Sequence, residues 1–262
     1  MYLQYQTAGN DEEFCMSVSR FNQYTQCPFK YGFNKILKLR EPVKPYFIFG
    51  SVGHKACELV AKKVLTTPEE VRQYMLKVFS LKMPKGKKLP RFESKWITNP
   101  GVQVAMANAI YECVTKYNIV DTEVHLTYNV SGAYAYKLQG YLDAVTSDAI
   151  IDWKFTTKAT FSEEYLVQLR VYAAMRAHLK NPVHVIGVMF PKDYGNPNNI
   201  KAVIAYDGVV TPEQQKSALT MVGMAVDGIK KGVFFPNRGM GNVLCPKCSY
   251  HNVCTKVLKG EL

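Results

Sequence analysis

The stretch Lys137–Phe155, KLQGYLDAVTSDAIIDWKF, holds two short runs of strand-forming residues on either side of a polar break. The first centres on Gly140-Tyr141-Leu142-Asp143, and the second is Ala149-Ile150-Ile151 running into Asp152-Trp153-Lys154. With Ser147-Asp148 as a two-residue hairpin turn, residue 146 pairs with 149 and residue 143 faces 152. Directly opposed side chains have Cβ atoms about 4.5–5.5 Å apart. Two carboxylates at that separation repel, and a sheet tolerates them where something positive lies between. Alternation along the strand puts Asp152 and Lys154 on one face. Two acids and a lysine are therefore gathered at the end of an apolar strand, a donor set suited to a divalent cation. A solvated hairpin with an exposed Asp–Lys pair fits the same residues, so the rest of the chain has to decide.

At 262 residues and 47% hydrophobic content, the chain suits one large domain or two small ones with a real core. Its formal charge of +12 favours polyanionic partners, nucleic acid first and an anionic membrane second. No apolar run approaches the length of a membrane span, which argues against a membrane protein. The leader MYLQYQTAGNDEEF lacks a basic head followed by an apolar core, so no secretion signal is read there. Seven cysteines are an odd number without an export signal. They point to a reducing, cytoplasmic setting in a bacterial, archaeal or virus-infected host cell, with thiols free or ligating metal.

Ser17–Lys38 reads as a helical or part-helical entry rich in Phe and Tyr, broken or pinned at Cys27-Pro28. Tyr46–Gly53 reads as an apolar lead into a helix over Ser51–Val64, where His54 and Glu58 share a face and Cys57 belongs to the core. Thr67-Pro68-Glu69-Glu70 is a well-formed helix start, and that helix ends near Lys82. Lys82–Lys95 then carries six Lys/Arg against one Glu and reads as a basic loop. Lys85, Lys87, Lys88 and Arg91 are its candidate DNA contacts, against the plain alternative of solvated charge. A helix follows from Asn99-Pro100 to about Tyr117, then a strand over Val120–Val130 and the central hairpin. Ser162–Leu179 reads as an amphipathic helix capped by Ser162, with Gln168 and Tyr172 projecting together. Strands follow over Val183–Phe190 and Lys201–Tyr206, and Thr211-Pro212-Glu213 opens the last long helix, ending near Lys231-Gly232. From Phe234 the tail reads as loop-rich.

That tail contains Cys245, Cys248 and Cys254 at the spacing C-x2-C-x5-C, which suits thiolates sharing one metal or cluster. A fourth ligand could come from His251, inside the motif, or from Cys27. Two residues on each side make His251 cramped, and the Cys-Pro turn favours Cys27. Four thiolates serve zinc as well as an iron–sulfur cluster. Buried or incidental thiols are the plain alternative.

Taken in order, these residues resemble the RecB-type branch of the PD-(D/E)XK nucleases, over nearly the whole chain. Ser17-Val18-Ser19-Arg20-Phe21 with Tyr24 and Cys27-Pro28 resembles that branch's N-terminal segment, and Gly53-His54 with Glu58 its helical His motif. Gly140-Tyr141-Leu142-Asp143 is similar to the first acidic motif, Asp152-Trp153-Lys154 to the D-x-K motif, and Gln168-Leu169-Arg170-Val171-Tyr172 to the Q-x-x-x-Y motif. The four cysteines resemble the 4Fe–4S staple of AddB-type and CRISPR-associated RecB-like nucleases. The proline that names the superfamily is absent, Leu142 standing before Asp143, and no phosphate-binding loop of a helicase accompanies the motifs.

The resemblance implies a single α/β domain with a restriction-endonuclease-like core, a mixed central sheet flanked by helices. Residues 17–118 would be mainly helical, 119–207 the catalytic sheet and helix, and 208–262 the last helix and a cysteine-stapled tail. It implies a metal-dependent DNA nuclease, an exonuclease first and an endonuclease second, acting on DNA, with single strands or ends favoured, in processing, recombination or repair, and a helicase or recombination protein as a candidate partner. His54, Asp143, Asp152 and the Trp153 carbonyl would hold Mg²⁺ or Mn²⁺, the imidazole leaning the choice to Mn²⁺. Lys154 would orient water or stabilise developing charge, and Gln168 and Tyr172 would hold the scissile strand. Glu58 takes a supporting role, and Glu123 is a further acid with no local motif. Cys27, Cys245, Cys248 and Cys254 would hold the 4Fe–4S cluster, with zinc as the other metal. The competing class is a non-catalytic DNA-binding protein on an Fe–S or zinc staple; it predicts loss of an acid or the lysine, yet all three are present.

Overall fold

The computed structural model describes residues 14–83, 86, 88–132, 135–157, 160–193, 195–237 and 245–261. Strand β1 (Cys15–Ser17) leads into α1 (Val18–Gln26), whose first turn is capped by the Ser17 hydroxyl accepting from the Arg20 N–H at 3.3 Å. Extended backbone at Cys27 ends α1, and Pro28 restarts the chain as α2 (Pro28–Tyr31), which runs on into a wider turn over Gly32–Ile36. Helix α3 (Pro45–Ala61) begins well before the expected Ser51, because Pro45 takes the first helical position, where its missing N–H costs nothing. Gly53 is needed inside it: a Cβ there would lie on the Phe155 ring.

Thr67 and Glu70 close a reciprocal capping box on α4 (Pro68–Lys82). The basic segment after it is not all loop, since α5 (Arg91–Thr98) occupies its second half and buries Phe92, Glu93 and Trp96. Asn99 then caps α6 (Pro100–Lys116) through the Gly101 N–H at 2.9 Å. Strands β2 (Asp121–Val130), β3 (Tyr136–Val145) and β4 (Ala149–Thr156) follow, then α7 (Glu163–Ala177). Ser162 stands at the cap position of α7, but its hydroxyl takes no bond from the first turn. The helix is not amphipathic as expected: Leu169, Val171, Tyr172, Ala173 and Ala174 are all buried, covering most of its circumference. Strands β5 (Val183–Pro191) and β6 (Val203–Val210) and helix α8 (Pro212–Lys230) complete the expected elements. The tail adds α9 (His251–Lys259), which the loop reading did not foresee.

The strands hydrogen-bond in the order β1-β3-β4-β5-β6, with β2 also on β3, giving a mixed sheet with helices around it. In the central hairpin Ala144 pairs with Ile151 and Val145 with Ile150, the antiparallel register expected for the turn, and just beyond them the Trp153 N–H bonds to the Asp143 carboxylate. The turn is tied by Thr146 N–H to Ala149 O at 3.0 Å. Strands β4 and β5 run parallel from Ala149↔His184 to Thr156↔Pro191, with α7 as the crossover that a parallel pair requires.

Two compact units divide the chain, one of Met1–Pro42, Thr127–Gly140 and Lys216–Leu262, the other of Val43–Leu126 and Tyr141–Gln215. In the second, Phe49, Met106, Ile110, Trp96, Trp153 and Phe190 form a core joining α3, α5 and α6 to β4 and β5. Within that core the Lys192 ammonium lies 3.0 Å from Glu93 Oε1 and 4.9 Å from the Phe49 ring centre. In the first unit, β1 pairs parallel with Lys137–Gln139, and Tyr24 donates to Val233 O at 2.7 Å. No helix among the described residues is long and apolar enough to cross a membrane.

Candidate active site

The hairpin, α3 and α7 bring six side chains of the second unit into two groups, His54–Asp143 and Lys154–Asp152–Gln168–Tyr172. Ala149, Ile151 and Trp153 point into the core beneath α3, so Asp152 and Lys154 alternate to the other face of β4. Asp143 is fixed twice: Oδ2 accepts the Trp153 N–H at 2.8 Å, and Oδ1 lies 3.3 Å from His54 Nδ1. Asp152 is 1% exposed. Its Oδ1 accepts from Lys154 Nζ at 2.7 Å and from Gln168 Nε2 at 3.1 Å, and Gln168 Nε2 is also 3.1 Å from the Tyr172 hydroxyl. Gln168 and Tyr172 reach the site together because they are one helical turn apart on α7.

The second oxygen of Asp152 stands differently. Lys154 Nζ lies 2.6 Å from Oδ2, but off the hydrogen-bonding direction. Oδ2 is buried and has no aligned donor among the described residues. That oxygen depends on the Lys154 ammonium for its charge balance, and it is the atom a second cation would share.

Electrostatics separates the two acids. Burial, then the nearby Asp143 charge, outweighs Lys154 and pushes Asp152 up to about 6. For Asp143 burial also pushes upward, but His54 and Lys154 with the Trp153 N–H prevail and hold it below the ordinary carboxylate range. Burial pulls His54 and Lys154 down, yet Asp143 raises the first, and Asp152 with Asp143 raises the second, above their usual values. Burial, then Asp152, raises the Tyr172 phenol, keeping it a protonated hydroxyl at neutral pH.

Other expected residues fall in varied places. Glu58 is buried between Lys55 at 2.6 Å and Lys62 at 2.8 Å, in an ion-paired group of its own on α3. Glu123 adopts a left-handed backbone, φ +53°, inside β2, and burial followed by the Asp143 charge raises its carboxyl. The residue is exposed, and no local motif marks it. Tyr165 was not foreseen: its ring centre lies 5.3 Å from Lys154 Nζ. The available signal was its place three residues before Gln168 on the same helix face. Lys88 and Arg91 are exposed, Arg91 as the first residue of α5, whereas Lys85 and Lys87 lie outside the described residues.

The cysteines of the expected staple meet in the first unit. Cys27, Cys245, Cys248 and Cys254 all line one cavity, with about 330 Å³ of atom-free space partly open to solvent. His251 lines it too, with its Nδ1 3.0 Å from Cys245 O. The tail reaches Cys27 through other contacts: Phe29 N–H to Phe235 O at 3.1 Å, Asn237 Nδ2 to Gln26 O at 3.0 Å, and Tyr250 OH to Leu39 O at 2.7 Å. None of the seven cysteines is in a disulfide, so no covalent staple is present. Cys57 and Cys113 are buried, and burial raises both thiols, Cys113 to about 11, as befits core residues. Among the described residues no three or more His, Cys, Asp or Glu side chains are grouped so as to hold a metal ion, either around Asp143 and Asp152 or among the four cysteines. The Asp152 oxygen without an aligned donor lies in one unit, and the cavity lined by the four cysteines in the other.

The sequence model of the PD-(D/E)XK nuclease superfamily matches residues 15–255. In fold, the chain is similar to the crystal structure of SSO0001, with TM-score 0.46 and 14% identity over 97% of this chain and 91% of that one. No curated protein matches it in sequence.

Proposed function

We propose that this chain, which belongs to the PD-(D/E)XK nuclease superfamily, is a metal-dependent deoxyribonuclease of the RecB type, an exonuclease of DNA processing, recombination or repair. The observation that carries the reading is the pair of groups His54–Asp143 and Lys154–Asp152–Gln168–Tyr172 around a carboxylate oxygen with no aligned donor among the described residues. His54, Asp143 and Asp152, with the Trp153 carbonyl, would hold Mg²⁺ or Mn²⁺, which supplies Lewis-acid activation of water and of the scissile phosphate. Lys154, held by Asp152 and backed by the Tyr165 ring, keeps a fixed positive charge where negative charge develops on phosphoryl oxygens. Gln168 and Tyr172 would hold the strand together: Gln168 Nε2 donates to Asp152 Oδ1 and to the Tyr172 hydroxyl oxygen, which leaves the protonated Tyr172 O–H as the donor for it. The net charge of +12 draws a polyanion to the protein at long range.

Cys27, Cys245, Cys248 and Cys254 would hold a 4Fe–4S cluster, or zinc, as a structural group; the cavity they share supports this. Such a group would join residues more than two hundred positions apart and restrict the unfolded chain accordingly.

The deciding assay incubates end-labelled linear and circular DNA, single- and double-stranded, with Mn²⁺ or Mg²⁺. Degradation of linear and sparing of circular DNA is expected. Cleavage of circles replaces exonuclease with endonuclease, and no cleavage of any substrate with either ion overturns the reading.

A further inference from the structure

Beside the acids, His125 of β2 and Tyr141 of β3 stack with ring centres 4.6 Å apart and planes 26° from parallel. Alternation along β3 places Tyr141 on the same face as Asp143, two residues or about 7 Å away along the strand. The neighbours Gly140 and Leu142 are buried, as expected for the opposite face, while Tyr141 is 54% exposed and His125 is exposed as well. A pair that served only to knit two strands would gain most by covering both rings. This one keeps a large part of its aromatic surface in water, beside the carboxylate that reads as a metal ligand.

We infer that His125 and Tyr141 form a stacking platform for one unpaired base of the DNA strand, a nucleotide or two from the phosphate at Asp143. The inference rests on the nuclease reading of the site. A π-face accepts any base, so the platform carries no sequence code. In a duplex each base is covered on both faces by its neighbours, and only an unpaired base can turn a face to the protein. The platform thus selects single strands and frayed ends over intact duplex. It acts by stacking, not by charge, and adds no phosphate contact.

The test is fluorescence anisotropy of a labelled single-stranded oligonucleotide of about 12 nucleotides, in EDTA so that nothing is cut. Two ligands are compared, one with all its bases and one built of abasic linkers. Alanine replacement of a base-stacking ring typically weakens binding by about five- to hundredfold. That loss is expected for Tyr141→Ala on the base-bearing strand, with little loss on the abasic strand, an unchanged salt slope, and recovery in Tyr141→Phe. Tyr141→Leu keeps apolar bulk without the π-system and should behave as Tyr141→Ala, which separates stacking from packing should the alanine variant fold poorly. Equal affinity of wild type and Tyr141→Leu, or an equal loss on both ligands, overturns the platform and leaves the nuclease reading intact. Failure of the wild type to bind either strand removes the nuclease reading, and the platform with it.

Discussion

Replacing Asp152 with Asn should stabilise the metal-free protein while abolishing cleavage. Asp152 is 1% exposed and its folded pKa stands at about 6 against an ordinary 3.8. A folded pKa above the unfolded one means that the folded state holds the proton more tightly. The stabilisation from that proton is complete below about 3.8 and is lost as pH rises through about 6. At about 1.4 kcal/mol per pH unit, that gap comes to about 3 kcal/mol of stability forfeited at pH 7.5, the favourable Lys154 charge already counted. The amide of Asp152→Asn resembles the protonated acid: its oxygen can still accept from Gln168 and Lys154, and it never ionises. In EDTA, urea denaturation should therefore find the variant about 3 kcal/mol more stable than wild type at pH 7.5 and nearly equal to it at pH 4. Mn²⁺ should raise the wild-type midpoint at pH 7.5 and leave the variant unmoved, because the binding free energy adds to folding only where the ligand is held. A variant less stable than wild type at pH 7.5, or one equally stabilised by Mn²⁺, refutes the assignment of Asp152 as a strained, metal-seeking carboxylate.

Lys154→Ala should slow metal-dependent cleavage by about 10²- to 10³-fold, the usual worth of one electrostatic stabiliser, with oligonucleotide binding retained; a near-wild-type rate removes Lys154 from the chemistry. Anaerobically purified protein should be brown with broad absorption at ~400 nm from an iron–sulfur centre, and Cys27→Ser should lose colour and melt lower while Cys57→Ala keeps the colour. Colourless protein with one tightly bound zinc would replace iron by zinc, and full colour with normal melting in Cys27→Ser would remove the fourth ligand. Glu93→Ala leaves the buried Lys192 ammonium unpaired and should destabilise by about 3–5 kcal/mol in urea; the double replacement Glu93→Leu with Lys192→Met should cost much less, and equal costs would show that the pair is not the source.

What could be read in advance followed from local rules. The hairpin register, seen at Ala144 with Ile151 and Val145 with Ile150, needs only a two-residue turn, and Gln168 with Tyr172 needs only the helical repeat. The early start of α3 was hidden because Gly50 and Gly53 look like punctuation, although Pro45 is a sound first helical residue. Helix α5 was masked by charge: Phe92 and Trp96 keep a helical spacing inside a run of Lys and Arg, and Glu93 gives no sign that it will be buried. Its partner Lys192 is 99 residues away, and no window of sequence holds both. The opposite error occurred in α7, where a polar face was expected and packing covers nearly every side.

At the site, residue types were legible and their inequality was not. The sequence offers Asp143 and Asp152 as like acids on facing strands, and nothing local says which is strained. The difference arises from donors supplied by other elements. Asp143 receives a backbone N–H from the adjacent strand and an imidazole from α3, so its charge is settled before any cation arrives. Asp152 receives a lysine two residues along its own strand and an amide from α7, both directed mainly at one oxygen. The other oxygen is left to the ion pair alone. Asp152, the more strained carboxylate, would therefore gain most from a bound cation, whereas Asp143 is already held by donors of its own. The order follows from burial: the same two acids on an exposed hairpin would both be ionised, both solvated, and equally indifferent to the metal.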